Sequence, residues 1–270
     1  MNDIETLREI PRGQFRFVVF DFDGTLSLIR EGWPLVMIPM MVEILRETGT
    51  SEDNSTLTAH VEDFVMRLNG RQTIYQMMQL ADEVKKRGGQ PLDPLAYKHE
   101  YHAQLMRRIQ GRLDALASGQ ATPDDWTVPG SHAFLSRLQE RGVTLYLASG
   151  TDLAFVKREV ELLGLAHFFG AHIYGALDDY QNFSKKMIIE RIIKENNLRG
   201  DELLGFGDGF VAIDEVKRVG GVAVAVASDE VKRQGIHAGK RDRLVKAGAD
   251  VVIGDYRCID GLMRMLFGGV

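Results

Sequence analysis

Short apolar segments alternate with amphipathic ones along the second half of the chain, and one further apolar segment lies near its start. That first segment, FRFVVF at 15–20, is apolar on both faces, as is typical of a central strand in a parallel sheet. Similar segments predict five more strands, at 143–149, 171–176, 202–207, 221–227 and 249–254. Between them, apolar residues spaced three and four apart predict helices at 131–142, 152–164 and 185–197. Strands that alternate with helices indicate βαβ units and a parallel sheet.

Residues 28–125 show a different pattern. Helical spacing predicts four helices there, in LVMIPMMVEILRET, TAHVEDFVMRL, TIYQMMQLADEVKKRG and DPLAYKHEYHAQLMRRIQGRLDALA, and we find no convincing strand. Glycines at 70, 88 and 89 and the stretch GQATPDD at 119–125 separate these helices. The predicted fold is therefore α/β: a Rossmann-like parallel-sheet core at 10–27 and 126–270, interrupted after its first strand by an all-helical domain at 28–125.

Composition narrows the class of protein. The 270 residues include 33 Lys and Arg against 38 Asp and Glu, so the net charge of −5 gives no global basic field for nucleic acid. Cys258 is the single cysteine, which excludes an internal disulfide and favours a reducing compartment. The longest apolar run, 33–42, contains two prolines and is about half of the ~20 residues that cross a bilayer. We therefore expect a cytoplasmic protein that binds neither membrane nor nucleic acid.

Polar residues cluster where the predicted strands end. Asp21 and Asp23 follow the first strand in DFDGTL, and Ser149–Gly150–Thr151 ends the strand at 143–149 and opens a helix. Lys185 begins a later helix, and Asp208 lies between two glycines after the strand at 202–207. Open α/β sheets bind ligands beyond the carboxyl ends of their strands. Each feature alone is also explained by a polar turn, a helix cap or a solvated surface charge.

In combination and in this order, DFDGT, Ser-Gly-Thr, Lys185 and Gly-Asp-Gly resemble the motifs of the haloacid dehalogenase-like superfamily of phosphotransferases. The resemblance covers roughly 10–27 and 126–270. The long gap between Asp21 and Ser149 matches a helical cap inserted after the first motif, similar to the cap of the phosphoglycolate phosphatase and β-phosphoglucomutase branch.

The resemblance implies a role for each motif residue. Asp21 would be the nucleophile that forms an aspartyl-phosphate, and Asp23 the general acid and base. Mg²⁺ would bind the Asp21 carboxylate, the Asp23 backbone carbonyl and the Asp208 carboxylate. The phosphoryl oxygens would be held by Gly24, Ser149, Gly150 and Lys185. We choose Lys185 over Lys186 because the apolar pattern that follows fits a helix beginning at Lys185.

The family resemblance implies a Mg²⁺-dependent phosphatase acting on a small phosphorylated metabolite, such as a sugar phosphate. Asp23 favours phosphate ester chemistry over dehalogenation, in which no leaving oxygen needs a proton. An intramolecular phosphomutase would use the same aspartyl-phosphate. A third hypothesis, a phosphate-binding module with weakened catalysis, rests on Ala212, which stands with Ile213 where the family usually has a second acid. If 211–219 is helical, Asp214 is a poor substitute, because it lies about 200° around the helix from position 212 and faces away from the metal.

Three further segments allow two interpretations each. Asn69–Thr73 is either a turn between two helices or a specificity loop in which Arg71 clamps an anion. Arg30, Glu31 and Trp33 closely follow the first motif and either line the hinge side of the site or belong to a surface linker. The stretch 231–246 holds six Lys and Arg residues and one Asp; we interpret it as a solvated loop and helix face, although its position after the strand at 221–227 also suits the rim of a pocket.

Overall fold

A seven-stranded sheet forms the centre of the fold in the computed structural model, which describes residues 4–182 and 184–268. The strands are β1 (Ile4–Thr6), β2 (Phe17–Phe20), β3 (Thr144–Asp152), β4 (Ile173–Ala176), β5 (Leu203–Gly207), β6 (Val222–Val226) and β7 (Val251–Ile253). Their order in the sheet is β1-β7-β6-β5-β2-β3-β4. Only β1 pairs antiparallel to its neighbour among these strands. The predicted α/β class and parallel sheet are confirmed.

Helices occupy most of the remaining described chain. They are α1 (Pro34–Arg46), α2 (Asn54–Arg67), α3 (Thr73–Lys86), α4 (Pro94–Ser118), α5 (Ser131–Glu140), α6 (Leu153–Leu162), α7 (Ala166–Phe169), α8 (Lys185–Glu195), α9 (Phe210–Arg218), α10 (Ala238–Lys246) and α11 (Ile259–Phe267). Within the described residues, no helix is long and apolar enough to cross a membrane.

Strand β2 lies between β5 and β3, and all four of its residues are buried. Phe20 is in register with Phe206 of β5 and Leu147 of β3, and its ring stacks on Phe206 with centroids 4.8 Å apart. Because these strands are parallel and in register, the segments that follow them leave the sheet at the same edge. This arrangement brings together side chains that are far apart in sequence.

The chain divides into two compact units. One contains residues 1–31 and 112–270, and the other contains residues 32–111. Every residue of the second unit is described, and all of its regular elements are helices. Within it, Glu83 of α3 accepts hydrogen bonds from Arg87, at 2.8 Å, and from Lys86, at 2.7 Å, and lies 2.8 Å from His60 of α2. These contacts compensate the cost of burying the Glu83 carboxylate and tie α2 to α3.

The main differences between the structure and the sequence prediction concern β3, β1 and α11. Strand β3 continues to Asp152, which pairs with Ala176 of β4 after an irregularity, so 149–151 lie inside a strand instead of opening a helix. Strand β1 was not predicted, because three residues are too few to show a strand pattern. Helix α11 was not predicted either, although it has a buried apolar face.

Candidate active site

Asp21 and Lys185 form a buried ion pair at the carboxyl edge of the sheet. Asp21 directly follows β2, and Lys185 is the first residue of α8, whose start is capped by the Ser184 hydroxyl accepting from the Met187 amide at 3.1 Å. The Lys185 ammonium donates to Oδ2 of Asp21, and the Phe22 amide donates to Oδ1 at 2.8 Å. Burial raises the pKa of Asp21 to about 6, against the attraction of Lys185. Both carboxylate oxygens are thus held in place.

Asp23 is held by residues of β3. Its Oδ2 accepts a hydrogen bond from the Thr151 hydroxyl at 2.8 Å, and the Ser149 hydroxyl lies 3.5 Å from the same oxygen. The Thr151 amide donates in turn to the Ser149 hydroxyl oxygen at 3.0 Å. Burial is the main cause that raises the pKa of Asp23 to about 6, and the nearby Arg30 guanidinium opposes that rise. A carboxyl with this pKa can both donate and accept a proton near neutral pH.

Asp208 lies against the backbone of the DFDGT segment. A Cβ added to Gly24 would fall 2.2 Å from Oδ2 of Asp208 and 3.1 Å from Oε1 of Glu230. Gly24 also has a φ of +70°, so both its conformation and this close approach require glycine. Lys240 of α10 donates to Asp208 Oδ2 at 3.1 Å and contacts Glu230 as well. Burial opposes the charge of Lys240, but the two carboxylates outweigh it and raise the Lys240 pKa.

Ala212 and Asp214, on α9, have separate surroundings. Ala212 is buried and packs against Gly207. A Cβ added to Gly207 would lie 2.4 Å from the Cβ of Ala212. It also lines a small cavity next to Asp21 and Lys185. Asp214 pairs with Arg218 one turn along the same helix, at 2.9 Å. The carboxylate found beside Asp208 is instead that of Glu230, from the segment after β6.

The other predicted residues have the following places. Gly150 lies inside β3 between Ser149 and Thr151. Lys186 pairs with Glu190 at 3.7 Å on an exposed face of α8. Arg71 belongs to the 32–111 unit; its side chain is exposed and its guanidinium lies 5.8 Å from the centroid of the Tyr75 ring. Both interpretations of the turn that contains Arg71 stay predictions.

The donor atoms of this edge are compatible with Mg²⁺. Among the described residues, no three His, Cys, Asp or Glu side chains are grouped to hold a metal ion. Magnesium, however, is usually bound through one or two carboxylates, with waters and substrate oxygens completing its shell. Asp21, Asp208 and the Asp23 carbonyl are oxygen donors of that kind, and the missing side chain at Gly24 lets the Asp208 carboxylate approach the Asp23–Gly24 backbone.

The sequence profile of the haloacid dehalogenase-like hydrolase family matches residues 15–220. The chain belongs to this family. Comparison with curated proteins gave no match.

Solved structures similar to this chain share its fold at low identity. A predicted phosphoglycolate phosphatase from Haemophilus somnus is 16% identical, with a TM-score of 0.59 over 93% of this chain and 99% of that one. A β-phosphoglucomutase from Clostridium difficile is 13% identical, with a TM-score of 0.53 over 86% and 98%. A haloacid dehalogenase family hydrolase from Deinococcus radiodurans, with bound phosphate and sodium, is 15% identical, with a TM-score of 0.55 over 95% and 100%.

Sequence reasoning missed several residues of this edge. Thr151 was recognised only as part of a motif, not as the main hydrogen-bond donor to Asp23. Glu230 and Lys240 gave no motif, although Lys240 belongs to the basic stretch 231–246 whose position suited a pocket rim. Glu159 of α6 pairs with Arg30, which lies beside Asp23. It gave no signal in the sequence, because a single acid in an amphipathic helix is usually solvated.

Proposed function

We propose that this family member is a Mg²⁺-dependent phosphatase that hydrolyses a small phosphorylated metabolite, with a sugar phosphate as the favoured class. One observation carries the proposal: two carboxyls, Asp21 and Asp23, are held in different ways at one edge of the sheet. Asp21 contacts a lysine ammonium and a backbone amide, whereas Asp23 contacts a hydroxyl and has one oxygen without a hydrogen bond from the described residues. Different surroundings suit them to different chemical roles.

In the first half of the proposed reaction, a carboxylate oxygen of Asp21 attacks the phosphorus atom. The new O–P bond forms as the bond between phosphorus and the leaving oxygen breaks, and that oxygen takes a proton from the Asp23 carboxyl. In the second half, water attacks the aspartyl-phosphate and gives a proton to Asp23. The bond between Asp21 and phosphorus then breaks, which releases phosphate and restores both side chains.

Charge is the main obstacle to the attack, because an anionic carboxylate must approach an anionic phosphoryl group. The Lys185 ammonium contacts the Asp21 carboxylate and can hold a phosphoryl oxygen. The Ser149 hydroxyl and the backbone amides near Gly24 and Gly150 can hold the other phosphoryl oxygens. Mg²⁺, held by Asp21, the Asp23 carbonyl and Asp208, would supply further neutralisation of negative charge when bound.

The 32–111 unit is proposed to act as the cap that selects the substrate. The core residues bind only the phosphoryl group, which every phosphate ester shares. Discrimination must therefore come from residues that contact the organic part, and Arg71 is our candidate among them. The names of the neighbours, a phosphoglycolate phosphatase and a β-phosphoglucomutase, support a small phosphorylated metabolite as the class.

The test is turnover of a panel of metabolite phosphates with Mg²⁺ or EDTA, using the parent, Asp21→Asn and Asp214→Asn. Asp21→Asn should abolish turnover, since the amide keeps the shape but is not a nucleophile, and uncatalysed hydrolysis is too slow to mask the loss. Asp214→Asn, on α9 with its own partner Arg218, is the matched control and should stay active. Product analysis decides the reaction: free phosphate supports a phosphatase, whereas an isomeric ester indicates a phosphomutase. Binding of esters without turnover by the parent would overturn the proposal.

A further inference from the structure

Arg30 and Glu159 form a buried ion pair next to Asp23. The terminal nitrogen Nη2 of Arg30 donates to Glu159 Oε1 at 2.7 Å, and Nε donates to Oε1 at 3.1 Å and Oε2 at 3.2 Å. Arg30 is 5% exposed and Glu159 1%. The guanidinium also lies over the Phe155 ring, 5.3 Å from its centroid. Both Phe155 and Glu159 belong to α6, which directly follows β3.

A fully buried ion pair is weak evidence for a stabilising role, since the cost of removing two charges from water often exceeds their attraction. Its position indicates another use. Nε of Arg30 lies 3.8 Å from Oδ1 of Asp23, while Oδ2 of Asp23 accepts from Thr151 on the other side. The Asp23 carboxyl group is therefore held from two directions, by a hydroxyl of β3 and by a guanidinium anchored to α6.

The distribution of Arg30 hydrogen bonds matters for proton transfer. Glu159 accepts from both Nε and Nη2, so that Arg30 faces Asp23 as an ion-pair partner at 3.8 Å and not as a hydrogen-bond donor. Within the described residues, Oδ1 of Asp23 accepts no hydrogen bond. Oδ1 is itself buried, so the nearby guanidinium fixes the direction of the carboxyl plane without taking up a hydrogen bond of Asp23. Asp208 also acts electrostatically on Asp23.

We propose that Arg30 and Glu159 are positioning residues that orient the Asp23 carboxyl for proton delivery to the leaving oxygen. The inference rests on the proposed function, because it needs a reaction in which Asp23 transfers a proton. Arg30 fixes the direction of the Asp23 carboxyl plane, and Glu159 fixes Arg30 and prevents it from closing on Oδ1. Neither residue is required for attack by Asp21.

Two aryl phosphates separate proton delivery from attack. The phenoxide expelled from phenyl phosphate is a poor leaving group that needs a proton, whereas the 2,4-dinitrophenoxide expelled from 2,4-dinitrophenyl phosphate leaves without one. The variant is Arg30→Met combined with Glu159→Leu, which removes both charges and roughly keeps the volume. We expect kcat/KM for phenyl phosphate to fall by on the order of 100-fold, and kcat/KM for 2,4-dinitrophenyl phosphate to change less than about 3-fold. Asp23→Asn should show the same bias more strongly.

The matched control is another largely buried ion pair of the same unit, Lys217 with Asp250 at 2.8 Å. Replacing it by Lys217→Met with Asp250→Asn should affect the two substrates equally. An equal fall on both substrates in the Arg30 and Glu159 variant, or no change on either, would overturn the inference. If the double variant does not fold by circular dichroism, Glu159→Gln, which keeps the shape, is tested for the same bias.

Failure of this inference differs from failure of the proposed function. If Asp21→Asn is inactive but the pair variants show no leaving-group bias, only the positioning role is wrong. If Asp21→Asn keeps turnover on both aryl phosphates, the proposed function itself fails.

Discussion

Lys240 reaches from helix α10 to Asp208, with its Nζ 3.1 Å from Oδ2. The same ammonium contacts Glu230, so one lysine links two carboxylates beside the Asp23–Gly24 backbone. The Lys240 ammonium thus contacts a carboxylate that we propose as a metal ligand. Any divalent cation that binds Asp208 must therefore share the Asp208 carboxylate with Lys240 or displace the Lys240 ammonium.

We predict that Lys240→Met tightens Mg²⁺ binding. Two unit charges about 4 Å apart interact by ~4 kcal/mol near a protein surface. Removing the Lys240 ammonium removes its repulsion of Mg²⁺, and a release of ~1.4 kcal/mol of that repulsion corresponds to a tenfold higher affinity for Mg²⁺. Isothermal calorimetry with Mg²⁺ and no substrate measures the affinity directly. Lys232→Met is the control, because Lys232 pairs with Asp229 and is exposed. Weaker Mg²⁺ binding by Lys240→Met would contradict this prediction. It would mean that the contact of Lys240 with Glu230 holds the segment after β6 in the conformation that binds the metal.

Thr151→Val should lower kcat and leave KM nearly unchanged. Valine keeps the branched shape but removes the hydroxyl that donates to Asp23 Oδ2 at 2.8 Å. A hydrogen bond to a charged group contributes ~1.5–3 kcal/mol, so the expected fall in kcat is about 10–100-fold. Steady-state kinetics on the best substrate provides both constants. A rise in KM with kcat unchanged would place Thr151 in substrate binding instead.

Much of this edge was predictable because short motifs follow parallel strands. Asp21, Asp23 and Asp208 could be grouped from sequence, since the ends of neighbouring parallel strands converge. Arg30 with Glu159, and Lys240 with Asp208, could not be paired in the same way. Each of these partners lies on a helix or loop far along the chain, and their contacts depend on how α6 and α10 pack, which periodicity does not specify. The extension of β3 through Thr151 likewise depends on pairing with β4.

Arg71→Ala should lower kcat/KM for the metabolite that performs best in the panel, and barely change turnover of phenyl phosphate. Its guanidinium is exposed and lies over the Tyr75 ring, so a substrate anion or hydroxyl can reach it. Loss of one charged hydrogen bond predicts a fall of ~10–100-fold. Arg67→Ala, an exposed arginine that pairs with Asp63 at 3.2 Å, is the control. An equal fall on both substrates would assign Arg71 to folding of its unit. No change on either substrate would mean that 69–73 is only a turn between two helices.

The raised pKa of Asp23 has a consequence for stability that can be measured without substrate. In the unfolded chain this carboxyl titrates near 3.8, and in the folded protein near 6. Between these values the folded state binds more protons, so the free energy of unfolding falls as pH rises. The stabilising contribution is complete below the unfolded pKa and is lost above the folded one.

Asp23→Asn removes this titration, because the amide stays neutral at every pH. In EDTA, the stability of the variant relative to the parent should therefore increase between about pH 4 and pH 8, by up to ~3 kcal/mol for a pKa shift of roughly two units. Urea denaturation at several pH values measures this difference, and its slope does not depend on any constant effect of the substitution. A flat difference between Asp23→Asn and the parent would contradict a raised pKa of Asp23 in the folded protein.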